Sequence, residues 1–289
     1  MGKIISAGAV FGNISRTMTR YCSISVAATQ DWDSKFTLDQ YCVREIEFWE
    51  TNLDRLNLKS IIDSLFRPSK VFVYSDGSAT RCGAHLNVNG EQICHKQWDV
   101  HECGMSSTWR ELTAIVFAPK SFLPLLKGSY IKWFSDSQNA CRVIQVGSMR
   151  KGLHVIALKI FQFCVDNGIE LEMQWIPRTK LDRADFISRI IYVDDWQITT
   201  SFFEFLDYTW GPYTVDCFAN FYNTEVKKFY SRFWNRGCSG VDLLVQNLTR
   251  ENCLVVPSVN LIHRTIHYLY TSKAVAFVVF LAHYWQKSF

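Results

Sequence analysis

Hydrophobic and polar positions change period several times along the chain, and each change marks an element. Residues 1–66 read as mostly helical, and Leu38 to Leu56 mixes acidic and aromatic side chains without a glycine or proline. Arg67-Pro68 predicts a boundary, because the residue before a proline is pushed out of helical conformation. Val71-Phe72-Val73-Tyr74 is a β-branched and aromatic run, hence a strand, and it ends at the turn signal Asp76-Gly77-Ser78. Gly83 to Val88 predicts a second strand, Asn89-Gly90 a hairpin turn, and Glu91 to Trp98 the returning strand. These three form an antiparallel meander.

The period then alternates. Ser106-Ser107-Thr108 opens a helix in which Leu112, Ile115 and Val116 share a face, and Pro119 predicts a kink or a break. Ile131 to Phe134 is a strand ending at Asp136. Leu153, Ile156, Ala157, Ile160, Phe161 and Cys164 make a helical stripe that stops at Asn167-Gly168. Ile169, Leu171, Met173 and Trp175 alternate with polar residues as a half-buried strand, and after Pro177 a helix starts within Asp182 to Arg189. The order β-β-β-α-β-α-β-α predicts an α/β fold, a mixed five-stranded sheet with helices on its faces. An N-terminal helical segment and a smaller C-terminal α/β unit flank it. The run from Ala274 to Trp285, interrupted by His283, is too short to span a bilayer and predicts a buried strand. No membrane partner is expected.

Composition adds little to this. With 48% hydrophobic and 15% aromatic residues spread over 289 positions, the chain can bury a sizeable core. A formal charge of +4 permits a nucleic-acid partner without requiring one. Ten cysteines stand in no Cys-x-x-Cys pair, so ten free thiols in a reducing compartment, cytoplasm or nucleus, are expected. The opening Met1-Gly2-Lys3-Ile4-Ile5-Ser6 also fits a myristoylation pattern, which is too short to carry weight.

Four carboxylates fall at telling places: Asp76 after the first strand, Glu111 near the start of the first helix of the unit, Asp136 after the fourth strand and Asp185 in its last helix. If strands one and four are parallel neighbours, Asp76 and Asp136 emerge side by side at the sheet edge where open α/β folds place ligands. Carboxylates packed together repel, and hard divalent cations, Mg²⁺ or Mn²⁺, relieve that repulsion. Each residue also has a local reading. Glu111 fits a capping box with Thr108, Asp76 a plain turn, Asp136 a helix cap, and Asp185 a first-turn charge favoured by the helix dipole.

At these residues the sequence resembles a retroelement ribonuclease H. Tyr74-Ser75-Asp76-Gly77-Ser78 with Gly83-Ala84, Ser107 to Ile115, Ser135-Asp136-Ser137-Gln138-Asn139, Trp175-Ile176-Pro177-Arg178 and Arg183-Ala184-Asp185-Phe186-Ile187-Ser188-Arg189 carry the resemblance. It is closest to the polymerase region of DIRS-like retrotransposons, and it extends over nearly the whole chain. Gly2 to Ser6 and Thr17 to Tyr21 resemble the thumb end of a reverse transcriptase, and Glu45 to Trp49 its connecting helix. Asp194-Asp195-Trp196, Trp210-Gly211-Pro212 and Thr214 to Ala219 resemble the segment that follows ribonuclease H in such elements, itself faintly similar to phage-type adenine methyltransferases.

The resemblance implies residues 1–67 as a helical thumb and connection remnant, 68–192 as a ribonuclease H-like domain, and 193–289 as a degenerate Rossmann-like unit. It implies Mg²⁺-dependent (or Mn²⁺-dependent) cleavage of RNA in an RNA–DNA hybrid. Asp76, Glu111, Asp136 and Asp185 match the four acidic positions, serving as metal ligands and catalytic residues. Ser78, Gln138 and Asn139 match sugar or phosphate contacts, with turn and cap bonding as their local alternative. Arg150 and Lys151 open a helix, either touching phosphate or forming a solvated face. The chain is expected to be a fragment of a longer polyprotein whose other parts are its partners.

The sequence departs from the family at identifiable places. No histidine stands between Pro177 and Arg183, and Leu181 replaces an asparagine. The palm is missing, so polymerisation is not expected, and Asp194 and Asp195 read as a solvated pair rather than palm aspartates. Val255-Val256-Pro257-Ser258 lacks the second proline and the aromatic of a methyltransferase motif, so Asp216 is expected to be structural. The alternative to an active ribonuclease H is a catalytically inactive, nucleic-acid-binding relic.

Overall fold

The structure, a computed structural model, describes residues 1–29, 31, 33, 35, 37–57, 71–191 and 196–280. The boundary expected at Arg67-Pro68, the Tyr192-Val193-Asp194-Asp195 stretch and His283 lie outside these residues. Contacts divide the chain into two units. One comprises residues 1–91, 96–116 and 124–189, and the other residues 92–95, 117–123 and 190–289.

Burial alternates along strand β1 (Val71–Gly77), with Val71, Val73 and Ser75 facing inward, and the strand lies in the interior of a five-stranded sheet. The order is β3-β2-β1-β4-β5, with β2 at Arg81–Asn87, β3 at Glu91–Gln97, β4 at Tyr130–Ser135 and β5 at Glu170–Trp175. β1 runs antiparallel to β2 and parallel to β4, and β4 is parallel to β5. The sheet is mixed, as the element order predicted. Asn89, at φ 53°, and Gly90 form the hairpin turn that joins β2 to β3. Trp133 is fully buried under the sheet and donates its indole N–H to Ser75 Oγ at 2.8 Å, satisfying two buried polar groups at once.

The helices differ in part from expectation. Of the kink or break expected at Pro119, the break is absent, since one helix spans Ser107–Ser121. Pro119 lies in the last turn, where its missing N–H leaves the Ile115 carbonyl without its helical donor, and the Ser121 hydroxyl donates to the Phe117 carbonyl at 3.0 Å. Between β4 and β5 there are two helices instead of one, Gln138–Val146 and Lys151–Asp166. The first is short and amphipathic, with Ala140, Cys141 and Val143 buried. It is capped by Ser137, whose hydroxyl accepts the Ala140 N–H at 3.2 Å, and it stops at Gly147, whose φ is 71°.

The described part of the N-terminal segment is mostly helical, with no helix among the described residues between Ala27 and Gln40, and its longest helix is Gln40–Asn57. Glu45 is buried there, accepting the Tyr21 and Cys22 backbone N–H groups at 2.8 and 2.9 Å, so a carboxylate satisfies orphan donors at the start of the helix Arg20–Ala27. Arg20 reaches the Val146 carbonyl, and Tyr21 packs edge-on against buried His154 at 4.7 Å.

In the second unit, β6 (Val215–Asp216), β9 (Asn252–Val255) and β10 (Val275–Val278) form a parallel sheet in the order β10-β9-β6, and the helix Ile262–Ser272 makes the β9 to β10 crossover. A separate pair, β7 (Tyr230–Ser231) and β8 (Gly240–Val241), is also parallel. β10 was expected to be buried but is only half-buried, because it is the edge strand, and Val275 is 67% exposed. Asp216 is buried at the end of β6, where it accepts the Glu225 N–H at 3.5 Å; burial raises its pKa to about 6. No helix of the described residues is long and apolar enough to cross a membrane. The ten cysteines are all unpaired.

Candidate active site

The parallel register of β1 and β4, Tyr74 opposite Phe134, continues to set Asp76 level with Asp136. Both carboxylates therefore leave the sheet at one edge, as expected if these strands were parallel neighbours. Glu111 reaches the same edge from the helix Ser107–Ser121. Two glycines make this approach close. A Cβ on Gly77 would stand 3.0 Å from the backbone of Arg110 and Glu111, so only glycine lets the helix settle against the end of β1. A Cβ on Gly83 would stand 2.5 Å from Ile187 Cγ2 and 2.7 Å from Ser188 N, so this glycine seats the helix Asp182–Ile187 on β2.

One oxygen from each of Asp76, Glu111 and Asp136 lies within 4.8 Å of the other two. Asp76 and Glu111 are buried and Asp136 is half-buried. Burial raises the Asp76 pKa. The Ser188 hydroxyl, which donates to Asp76 Oδ2, opposes this, while the charges of Asp136 and Asp185 add to it. Glu111 is pushed well above the usual carboxylate range, first by burial and then by the charges of Asp76 and Asp136. Its Oε2 is buried with no hydrogen-bond partner.

An orphaned buried carboxylate oxygen, facing two further carboxylates with no nitrogen or sulfur donor in the group, fits a hard divalent cation. The expected capping box at Glu111 is absent. Ser106 Oγ accepts the Trp109 N–H at 3.3 Å, which leaves Thr108 and Glu111 inside the helix. Likewise the cap beside Asp136 is Ser137, which frees the Asp136 carboxylate.

Asp185 is not one of this group of three. Its Oδ1 accepts from Arg178 and, at 2.9 Å, from Arg189 one helical turn on. Ser78 is tied into the turn that follows β1: its hydroxyl accepts the Arg81 N–H at 3.1 Å and faces the Arg81 and Ser188 carbonyls, each at 2.9 Å. The local alternative for Ser78 is thus the arrangement present. Gln138 and Asn139 are exposed in the first turn of the helix that follows Asp136. Arg150 and Lys151 are exposed, and Lys151 pairs with Asp39 at 3.4 Å.

The sequence reading missed the bond from Ser188 to Asp76. The two are 112 residues apart, and no local pattern announces the contact. It also gave Arg178 and Arg189 no role, although Arg189 stands four residues after Asp185, a spacing that signals a helical ion pair.

No protein-family model matches the chain, and no curated protein sequence does. Among solved structures it is similar to ribonuclease H1 from Halobacterium salinarum, at 16% identity over 41% of this chain and 93% of that one, with a TM-score of 0.34. It is also similar to LC11 ribonuclease H1 solved with an RNA/DNA hybrid, at 19% identity over 41% and 93%, TM-score 0.34. A third likeness is to foamy viral protease–reverse transcriptase solved with double-stranded DNA, at 13% identity over 59% of this chain and 30% of that one, TM-score 0.28. Strand order and carboxylate geometry, rather than these likenesses, define the site.

Proposed function

We propose that the chain is a retroelement-derived ribonuclease H that cuts the RNA strand of an RNA–DNA hybrid endonucleolytically. The observation that carries this reading is the convergence of Asp76, Glu111 and Asp136 at the carboxyl edge of β1 and β4. Mg²⁺ or Mn²⁺ held by these three would supply an activated water and charge stabilisation for the leaving oxygen of a phosphodiester. Asp76 is oriented for that task by the Ser188 hydroxyl, and Glu111 by the Gly77 N–H it accepts. Gln138 and Asn139, exposed beside Asp136, offer donors to the hybrid's backbone, which proteins read by shape and 2′-hydroxyls rather than by base sequence. Asp185 is the fourth carboxylate of the proposal, and release of its Arg178 and Arg189 pairs would free it for the metal.

The finer assignment, a DIRS-like polymerase region acting within a longer polyprotein, rests on the sequence resemblance. The ten unpaired thiols support a cytoplasmic or nuclear setting. One observation favours the second reading, an inactive nucleic-acid-binding relic: Asp185 is engaged by two arginines instead of by the other carboxylates.

Strand-labelled hybrid incubated with the chain and Mg²⁺ or Mn²⁺ separates the two readings. RNA-strand cutting that Asp136→Asn reduces by roughly 100-fold or more establishes the enzyme. An intact hybrid that the folded protein nonetheless binds, with a control ribonuclease that cuts, supports the relic instead.

A further inference from the structure

The second unit carries a surface recess of about 190 Å³ lined by Trp196, Gln197, Asn220, Tyr222 and Asn223. It lies beyond the carboxyl ends of β6 and β9. Residues 217–223 follow β6 directly, and Trp196 is anchored by its indole N–H to the carbonyl of Pro257, two residues after β9, at 3.0 Å. That end of a parallel sheet is where α/β folds hold ligands.

The amides of the recess are set in orientation. Asn223 Oδ1 accepts the Asn220 N–H at 2.6 Å, and Asn220 Oδ1 accepts the Tyr222 N–H at 2.8 Å. One lone pair of each amide oxygen is thereby engaged, which sets the amide's orientation, and the Nδ2 donors bond to none of the described residues, nor does the Gln197 amide. The recess therefore presents two aromatic rings, two fixed donors and one adaptable amide, and no charge. Such a lining suits a flat, neutral ring with acceptors on its edge.

A cationic track adjoins it. Tyr222, 69% exposed, meets the Phe221 ring edge-on at 5.4 Å, and the Arg236 guanidinium lies over Phe221 at 4.9 Å. Phe221 is held by its N–H to buried Asn235 Oδ1 at 2.9 Å. From residue 220 to residue 236 the sequence has Lys227, Lys228, Arg232 and Arg236 against the single carboxylate of Glu225, and of these Lys228 is paired with Glu251 at 2.5 Å. The recess is smaller than the roughly 300–1,000 Å³ typical of cofactor pockets and suits one base rather than a whole dinucleotide.

We propose that the C-terminal unit binds single-stranded nucleic acid, with one base lodged against Trp196 and Tyr222, its edge read by Asn220, Asn223 and Gln197, and a neighbouring phosphate on Arg236. Stacking on aromatic rings beside a basic track is how proteins hold single strands without strict sequence choice. This inference does not depend on the carboxylate site.

Fluorescence anisotropy of a labelled single-stranded DNA oligonucleotide with the full chain tests it. Tyr222→Ala is expected to weaken binding by roughly 5- to 100-fold, while Tyr222→Phe retains it. Arg236→Gln is expected to lower the slope of log affinity against log salt by about 0.7. An oligonucleotide of equal length without bases is expected to bind far more weakly. Unchanged affinity in Tyr222→Ala, with its melting temperature that of the parent, overturns the proposal. So does equal binding of the base-free strand or of an acidic peptide, which would make the surface a general anion track. Equally tight binding of a mononucleotide would make the recess a free-nucleotide site and likewise overturn it. Hybrid cleavage by these variants is expected to match the parent, so failure here is distinct from failure of the ribonuclease reading.

Discussion

At the residue scale the site is a problem of charge. Glu111 is buried, has one orphaned oxygen and faces two carboxylates, so its ionised form is strongly disfavoured without a cation. Glu111→Gln is therefore expected to raise the metal-free melting temperature at neutral pH by about 2–6 °C and to abolish the further rise that Mn²⁺ gives the parent, both read by calorimetry with and without EDTA. A lower metal-free melting temperature would mean that Glu111 is held by interactions other than those described. Arg178 competes for the fourth carboxylate. Arg178→Gln is expected to tighten Mn²⁺ binding about 2- to 5-fold by titration calorimetry, a modest gain because the pair is solvent-exposed. In an Asp185→Asn background the gain should vanish; if it persists, Arg178 acts through its general field and not through Asp185.

At the scale of elements, the carboxylates meet because one strand pair and two helices are seated by backbone contacts. Gly83 is the sharpest case. Gly83→Ala would drive a methyl into Ile187 and the Ser188 N–H, and it is expected to cost about 1–3 kcal/mol, measured by urea denaturation. It should also displace the Ser188 hydroxyl from Asp76 and lower hybrid cleavage beyond what the stability loss explains. Ala84, the next residue on β2 and also buried, makes an informative comparison: Ala84→Gly should weaken the fold without a specific loss of cleavage. Element periods were legible where they were long. The stripe in Lys151–Asp166 appears as read, and the alternation in β5 holds through Met173 but fails at Trp175, which is exposed and donates its indole N–H to the Asp136 carbonyl at 2.9 Å. The nine-residue helix Gln138–Val146 was missed, because two turns give too few apolar repeats to stand out, although its Ser137 cap and Gly147 stop are visible in the sequence.

For the whole molecule, the raised pKa values of Asp76 and Glu111 couple stability to pH. The folded state holds these protons more tightly than the unfolded chain does, so the contribution of Asp76 and Glu111 to metal-free stability is fully present below the ordinary carboxylate pKa. It falls as pH rises through the raised values. Urea midpoints measured from pH 4 to 8 in EDTA should show this decline, and saturating Mg²⁺ should flatten it. A rise with pH in EDTA would contradict the buried-carboxylate account.

The mixed α/β architecture and the hairpin at Asn89-Gly90 follow from local period and turn chemistry, and the residue pattern offers four candidate carboxylates, of which folding brings three together. Tertiary structure alone decided that Asp185 is clasped by Arg178 and Arg189 and that Ser188 supports Asp76. It also decided that Ser78 is consumed by its own turn and that Trp196 closes over a recess built mainly from residues after β6. Each of these depends on which groups meet across tens of residues, where short-range geometry is silent and the competition between partners is settled by packing.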